Sequence, residues 1–318
     1  MARTRYVQVN GQLLEVYSDR TNAMMEAFED QRVMSEYITR VNAEAPPDLM
    51  YHYTDASGLE AILRSGTLWL TDVFRLNDPG EIRYGLDAAC AHLAAEGGLR
   101  NASEIEKDFV ETVCEKLQAN VESSANYFVT SCSFERDHAD QWKKYGDNGR
   151  GYALAFDAGT LERHFMEVAP SNHSTFPISY AAEEMQAMQR AIVGQGLEIV
   201  RAVGRHMGRT LLRRISVRLS VNILHCAIFF KAPKWSSERE YRFMMVHRGD
   251  IAVPGMKTRR RGDMEVRYCE YDWKTGCAAT LREIVLGPQA NADFAKRLCA
   301  ELLLRQPIPI QRSAVSLL

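Results

Sequence analysis

The chain lacks the features that would place it most easily. Its seven cysteines, at 90, 114, 132, 226, 269, 277 and 299, form no Cys-x-x-Cys pair, and their number is odd. That pattern excludes a disulfide framework and suits buried free thiols in a reducing cytoplasm. The nearest pair, Cys269 and Cys277, has no histidine at zinc-finger spacing, so no structural zinc is expected. No apolar run reaches the length of a membrane span; the longest candidate, Val221–Phe230, is short and interrupted by His225. Met1–Tyr6 lacks the apolar stretch of a signal peptide. There is no Gly-rich phosphate loop, no metal-spaced histidine cluster, no internal repeat and no low-complexity linker. Nor is there a global basic field: the net charge is −2, which argues against nucleic acid as a partner of the whole surface. Two local basic runs remain, Lys257 with Arg259, Arg260 and Arg261, and Arg209, Arg213, Arg214 and Arg218, both read first as solvated faces.

What is present is an ordinary globular composition, 46% hydrophobic and 25% charged over 318 residues. The pattern predicts a helix over 21–44 ended by Pro46 and Pro47, then a strand at Leu49–Thr54. Asp55 or Ser57 caps a helix from Gly58 to Ser65, closed by Gly66. A strand follows at Leu68–Thr71, a turn at Leu76–Glu81, a helix from Glu81 to Gly97, and a helix over Ser103–Ser123. Asn126–Phe134 reads as a central strand, Gln141–Gly146 as a helical turn, and Gly149–Phe156 as a Gly-led strand. Residues 182–225 carry one or two helices with weak points at Gly194, Gly196 and Gly204. Strands near Tyr241–His247, Met264–Tyr271 and Glu283–Gly287 and a helix over Asn291–Leu303 complete an α+β fold. The expected organisation is a helical N-terminal arm, 1–48, and one α+β domain, 49–318, with a helical insertion at about 182–225. That insertion can pack on its own core or on a second copy of the chain.

Candidate chemistry gathers in four places. Glu238 and Glu240 stand two positions apart at the mouth of an apolar strand, so in an extended chain both carboxylates face one way, followed by Arg242. Like charges that close need a cation, a proton or a ligand. His52 lies on the first core strand between Tyr51 and Tyr53, and Thr54 follows. Ser131 and Ser133 share one face of the central strand, with Cys132 on the other. Trp142 and Tyr145 come just after it. Each cluster alone has a plain structural explanation. Together they suit cleavage of an N-glycosidic bond: a carboxylate on a ribose hydroxyl stabilises an oxocarbenium-like state, and aromatic walls hold a flat leaving group. A metal-dependent nuclease built on Glu238, Glu240 and Lys231 or Lys234 carries less weight, because two-metal sites draw carboxylates from several segments. A Cys132 nucleophile paired with His52 or His138 is weaker still, because alternation turns Cys132 toward the core.

In this order the motifs His52-Tyr53-Thr54, Leu76-Asn77-Asp78-Pro79-x-Glu81, Ser131-x-Ser133-Phe134, Trp142-x-x-Tyr145, Lys231-x-x-x-Trp235-x-x-Glu238-x-Glu240-x-Arg242 and Ile284-to-Pro288 resemble a poorly characterised bacterial domain-of-unknown-function family, over Tyr51 to Pro288. Its motif order is similar to that of the ADP-ribosyltransferase superfamily. The resemblance implies a split, mixed or antiparallel sheet and NAD as co-substrate without a metal. It implies that Glu240 contacts the nicotinamide ribose and that Glu238 engages the acceptor. His52, with Tyr53 and Thr54, would hold the adenine-ribose and nicotinamide end. Ser131 and Ser133 would position the carboxylate and line the nicotinamide slot, and Tyr145 would stack on nicotinamide. A histidine first motif combined with Ser-x-Ser mixes the two main classes, so the acceptor stays open: protein, nucleic acid, small molecule or water. The superfamily's habit is a toxin, effector or defence role. The alternative is a non-catalytic nucleotide-sensing or protein-interaction module on the same fold. Lys231, Asn77 and Asp78 are read as pocket or turn-capping residues.

Overall fold

A computed structural model describes residues 5–9, 12–16, 19–43, 46–78, 80–97, 102–119, 125–168, 172–204, 208–248, 252–275, 278–302 and 308–317. Pro79, Cys277 and the expected helix ends at 44, 120–123 and 303 lie outside the described residues. In chain order the elements begin with the hairpin β1 (Arg5–Val9) and β2 (Gln12–Val16), then α1 (Asp19–Glu29), α2 (Arg32–Val41), β3 (Leu49–Thr54), α3 (Ala56–Ser65) and β4 (Thr67–Asp72). Next come α4 (Gly80–Gly97), α5 (Glu104–Ala119), β5 (Ala125–Ser133), α6 (Ala139–Lys144), β6 (Tyr152–Asp157), α7 (Ala158–Val168) and β7 (Asn172–Pro177). The chain continues through α8 (Ala182–Val203), α9 (Arg209–Ile228), β8 (Glu240–Arg248), β9 (Lys257–Arg261), β10 (Met264–Asp272), β11 (Leu281–Leu286), α10 (Ala292–Glu301) and β12 (Ile310–Arg312). The fold is α+β, as expected.

The division into units differs from the expected arm and domain. Among the described residues, those within 1–40, 78–125 and 179–232 form one helical unit, and those within 41–77, 126–178 and 233–318 form a sheet unit. The reason is packing. Helices α4 and α5, assigned by sequence to the α+β domain, lie against α8 and α9 of the insertion, and α1 lies against α8. Gly85 lets α4 approach α9, since a Cβ there would stand 2.6 Å from the Ala227 methyl. The Gln189 amide donates to the Gly85 carbonyl at 2.6 Å across the same bundle. Lys231 and Glu81 form an ion pair at 3.1 Å inside this unit, both about 6% exposed, so Lys231 is a bundle residue. The expected single helix over 21–44 is two helices that part at Asp30 and Gln31, where Gln31 has φ 53°. The β1–β2 hairpin is an addition to the expected elements.

His225 is buried in the bundle, its Nδ1 2.8 Å from the Gln31 amide oxygen. Burial pulls its pKa from 6.5 to about 4. The unfolded chain therefore takes this proton at a higher pH than the folded one. The stability it represents is whole above about pH 6.5 and is lost progressively as pH falls from there through 4. We expect a loss of about 2 kcal/mol by pH 5 and about 3 by pH 4 from this one group. Urea unfolding at stepped pH checks this, and His225→Gln should flatten the profile.

In the sheet unit, ten strands of the described residues make one mixed sheet, with β12-β11-β6-β3-β5-β4-β10-β9 as its path and β7–β8 attached through β8 to β5. Among the described ladders of this path only β11–β12 is parallel. Strand β5 has three partners, β3, β4 and β8, for two edges. The two short ladders share one: β3 meets β5 only at Tyr51–Ser133, and β4 meets it at Thr71–Val129 and Asp72–Phe128. The sheet therefore parts between β3 and β4, and Ser131 falls in the gap.

Each face of the sheet has its own core. Met50, Phe128, Cys132, Leu154, Phe156, Tyr241 and Phe243 belong to the larger cluster. Tyr51, Tyr53, Trp142, Ala153 and Ala155 belong to a smaller one on the other face. Burying each large apolar side chain contributes roughly 1.5–3 kcal/mol. Local signals set the borders: Asp55 accepts from Gly58 N at 2.7 Å at the start of α3, and Gly66 ends it at φ 71°. After α6 a tight turn runs through Asp147, Asn148 and Gly149, all at positive φ. Gly151 follows, and a Cβ there would lie 2.3 Å from the Thr54 carbonyl and 2.8 Å from the Gly146 backbone. Backbone cannot yield as a side chain does, so Gly151→Ala should cost about 1–3 kcal/mol or more, read as a lower urea midpoint. Strands β7, β9 and β12 and helix α7 also add to the expected elements.

Candidate functional site

The site grows from the end of β5 and the start of β8. Tyr241 and Phe243 take the larger core, so Glu240 and Arg242 face the other way. Cys132 also takes the larger core, and Ser133 stands opposite Tyr51, so Ser131 and Ser133 share the face of the carboxylate. The Ser131 hydroxyl donates to Glu240 Oε1 at 2.5 Å. Arg242 Nε donates to the same oxygen at 2.6 Å and Nη2 reaches Oε2 at 3.3 Å. The ion pair is buried, with side-chain exposures of 1% for Arg242 and 6% for Glu240. Charge-assisted bonds of this length fix an ionised carboxylate in one orientation.

Glu238 is held differently from the extended-chain expectation. It closes a 3-10 turn, Pro233–Glu238, and Arg239 then adopts φ 40° before β8 begins. A non-glycine residue in the left-handed region costs about 1–3 kcal/mol. Arg239 N donates to Ser236 O at 3.3 Å, and its guanidinium reaches Glu135 at 2.9 Å. The two carboxylates are thus set by a turn rather than by strand alternation. The Glu238 carbonyl accepts from Ser133 Oγ at 2.6 Å and from Gln141 Nε2 at 3.0 Å. Its carboxylate accepts from Lys144 Nζ at 3.0 Å and Tyr145 OH at 3.1 Å. The Lys144 ammonium also sits 3.6 Å from the centroid of the Trp235 ring. Glu238 therefore has a cation and a phenol on one oxygen, both from the α6 turn.

His52 comes to this site by a different route. It stands opposite Leu154, on the face of the larger core. Its ring turns into the gap where β3 and β4 part, and Nδ1 lies 2.9 Å from the Ser131 carbonyl. A carbonyl only accepts, so Nδ1 carries the hydrogen, leaving Nε2 as the acceptor of the neutral ring. Burial lowers the pKa of His52 and so favours the neutral ring, an effect that this bond partly opposes. Burial lifts the Cys132 thiol well above its ordinary range, with the Glu240 charge adding to it. A thiol so raised is a poor nucleophile.

The expected site residues therefore separate. Ser131 bonds Glu240, and Ser133 and Tyr145 bond Glu238, as two neighbouring hydrogen-bonded groups; His52 joins the first through the Ser131 backbone oxygen. Tyr53 is a supporting residue: its hydroxyl donates to the Glu135 carbonyl at 2.7 Å, and its ring meets Trp142 edge-on at 4.7 Å. Thr54 lies elsewhere, its Oγ1 against Gly58. Sequence reasoning passes over Lys144, Gln141 and the turn at Arg239. A glutamine and a lysine on one short helical turn form no motif of their own, and no periodic pattern marks a left-handed arginine. Asn77 Oδ1 accepts from Arg261 at 2.6 Å, and Asp78 caps Gly80 N at 2.8 Å. Among the described residues no group of three or more His, Cys, Asp or Glu is placed to hold a metal ion, and no helix is long and apolar enough to cross a membrane.

Fold and site together define an α+β protein with two anchored carboxylates at the parting of a mixed sheet. Residues 141–243 match a family model described as a protein of unknown function (DUF2971). The matched stretch holds Lys144, Tyr145, Glu238, Glu240 and Arg242, and it is narrower than the Tyr51-to-Pro288 span expected. His52, Ser131 and Ser133 lie outside it. No curated protein and no solved structure gives a significant match.

Proposed function

We propose that this protein cleaves the nicotinamide N-glycosidic bond of NAD, as an ADP-ribosyltransferase or an NAD glycohydrolase, and that it works in the cytoplasm. The observation that carries the reading is the Ser131–Glu240 bond at the parting of β3 and β4, with His52 on the Ser131 carbonyl. An ADP-ribosyltransferase-like split sheet would offer a dinucleotide this gap. Glu240, ionised and oriented by Ser131 and Arg242, accepts a hydrogen bond from the 2′-hydroxyl of the nicotinamide ribose. As the C1′–N bond breaks, its electron pair passes to the pyridinium nitrogen, nicotinamide leaves neutral, and positive charge develops on the sugar. A fixed anion beside that charge lowers the barrier. The acceptor's oxygen or nitrogen then attacks C1′ and gives up its proton; with water the product is ADP-ribose. Glu238, beside Lys144 and Tyr145, faces the acceptor. No metal takes part. A toxin or defence role follows only from the resemblance.

Closure of Glu240 by Arg242, with 6% of the carboxylate side chain exposed, favours a second reading: a module that binds a nucleotide or a protein without turning anything over. Isothermal titration with NAD separates the two readings. Heat of binding without nicotinamide release supports the module, and release that depends on Glu240 supports the enzyme.

A further inference from the structure

The basic run at 257–261 is more than a solvated face. It forms β9, the last strand on the sheet's path, and its partner β10 places Lys257 opposite Tyr268, Arg259 opposite Val266 and Arg261 opposite Met264. Trp69 stands opposite Glu270 on the far side of β10, so Lys257, Arg259, Arg261, Tyr268 and Trp69 share one face. Lysine and arginine on an edge strand usually serve to discourage pairing with another edge, and solvated side chains suffice for that. Arg259 is not solvated in that way. Its guanidinium lies 4.9 Å from the centroid of the Trp69 ring, which lies 4.3 Å from the Tyr268 ring at 31°. Its Nε is buried with no hydrogen-bond partner among the described residues. Burial, then the neighbouring Arg261 charge, lowers the Arg259 pKa. Arg261 donates to Asn77 Oδ1 at 2.6 Å and to the carbonyls of Arg75 and Leu76 at 2.8 and 3.1 Å, all neutral acceptors. Lys257 is matched by Glu270 at 2.8 Å. Two adjacent guanidinium groups thus keep their charge on one face, a cost that an anion would relieve.

We propose that Arg259 and Arg261, with Trp69 behind them, bind the phosphate backbone of a single-stranded nucleic acid. Residues two apart on a strand are about 7 Å apart, a step that successive phosphates of an extended strand can follow. The planar guanidinium and indole beside them offer the stacking that unpaired bases accept and a duplex keeps covered. This inference does not rest on the proposed reaction. The test is fluorescence anisotropy with a labelled single-stranded oligonucleotide, across a salt series, on the full chain. Arg259→Gln with Arg261→Gln should weaken binding about tenfold or more and reduce the slope of log K against log salt by about 1.4, from about 0.7 for each contact to a single strand. Arg259→Lys with Arg261→Lys should keep the salt slope while losing affinity, and Arg213→Gln with Arg218→Gln on α9 should change neither. Circular dichroism checks that each variant is folded. Four results would overturn the proposal: no binding by the wild type, unchanged binding by the double glutamine variant, a duplex bound as tightly as the single strand, or displacement by inorganic pyrophosphate at equal phosphate concentration. The last would assign the site to small anions.

Discussion

Glu240→Gln is expected to lower nicotinamide release from NAD by about 10²–10³-fold or more while the protein remains folded. The amide keeps the shape of the side chain and can still accept from Ser131 and Arg242, so the variant loses the fixed negative charge and, with it, part of the stability of the buried pair. Ser131→Ala should cost less, about tenfold, because it leaves the charge and removes one of the bonds that orient it. The comparison matters more than either value. If the serine acts only through the carboxylate, its effect should vanish in the Glu240→Gln background, since residues acting as one unit are not additive. Steady-state assays of the two single variants and the double variant give the answer. An independent effect of Ser131 in that background would separate it from Glu240.

The second large effect is on stability. Arg242 is 1% exposed and its guanidinium meets Glu240 at 2.6 Å, so Arg242→Met strands a buried carboxylate. The expected cost is about 3–5 kcal/mol, the range for breaking one side of a buried ion pair. Replacing both partners, with Glu240→Gln and Arg242→Met together, should recover most of it, because two ions no longer have to be desolvated. Urea unfolding of the four proteins measures the coupling. A small loss in Arg242→Met would mean that water reaches this carboxylate far more easily than its burial implies.

Much of this was legible in the sequence because the local rules were obeyed. Alternation puts Ser131 and Ser133 opposite to Cys132, and the cores on the two faces of β5 sort them that way. Asp55 and Gly66 mark the ends of α3 by their capping chemistry. What was not legible depended on the turn and on distant segments. An extended chain would pair Glu238 and Glu240 by alternation, but a left-handed Arg239 separates a 3-10 turn from a strand. Lys144 reaches Glu238 across 94 positions, and no spacing rule announces such a partner. Thr54 looks like part of a motif because it follows His52 and Tyr53, yet its hydroxyl lies against α3. The helical unit is hidden for the same reason: three separated segments share one core, and a linear reading assigns them to different domains.

The most direct test of the central claim is the release of nicotinamide from NAD by the purified wild-type chain, with cell lysate supplied as a source of acceptors and Glu240→Gln run beside it. The account predicts nicotinamide in amounts matched by ADP-ribose or by ADP-ribosylated product, and almost none from the variant. Absence of nicotinamide from the wild type under those conditions, or equal release by a folded Glu240→Gln protein, would contradict it.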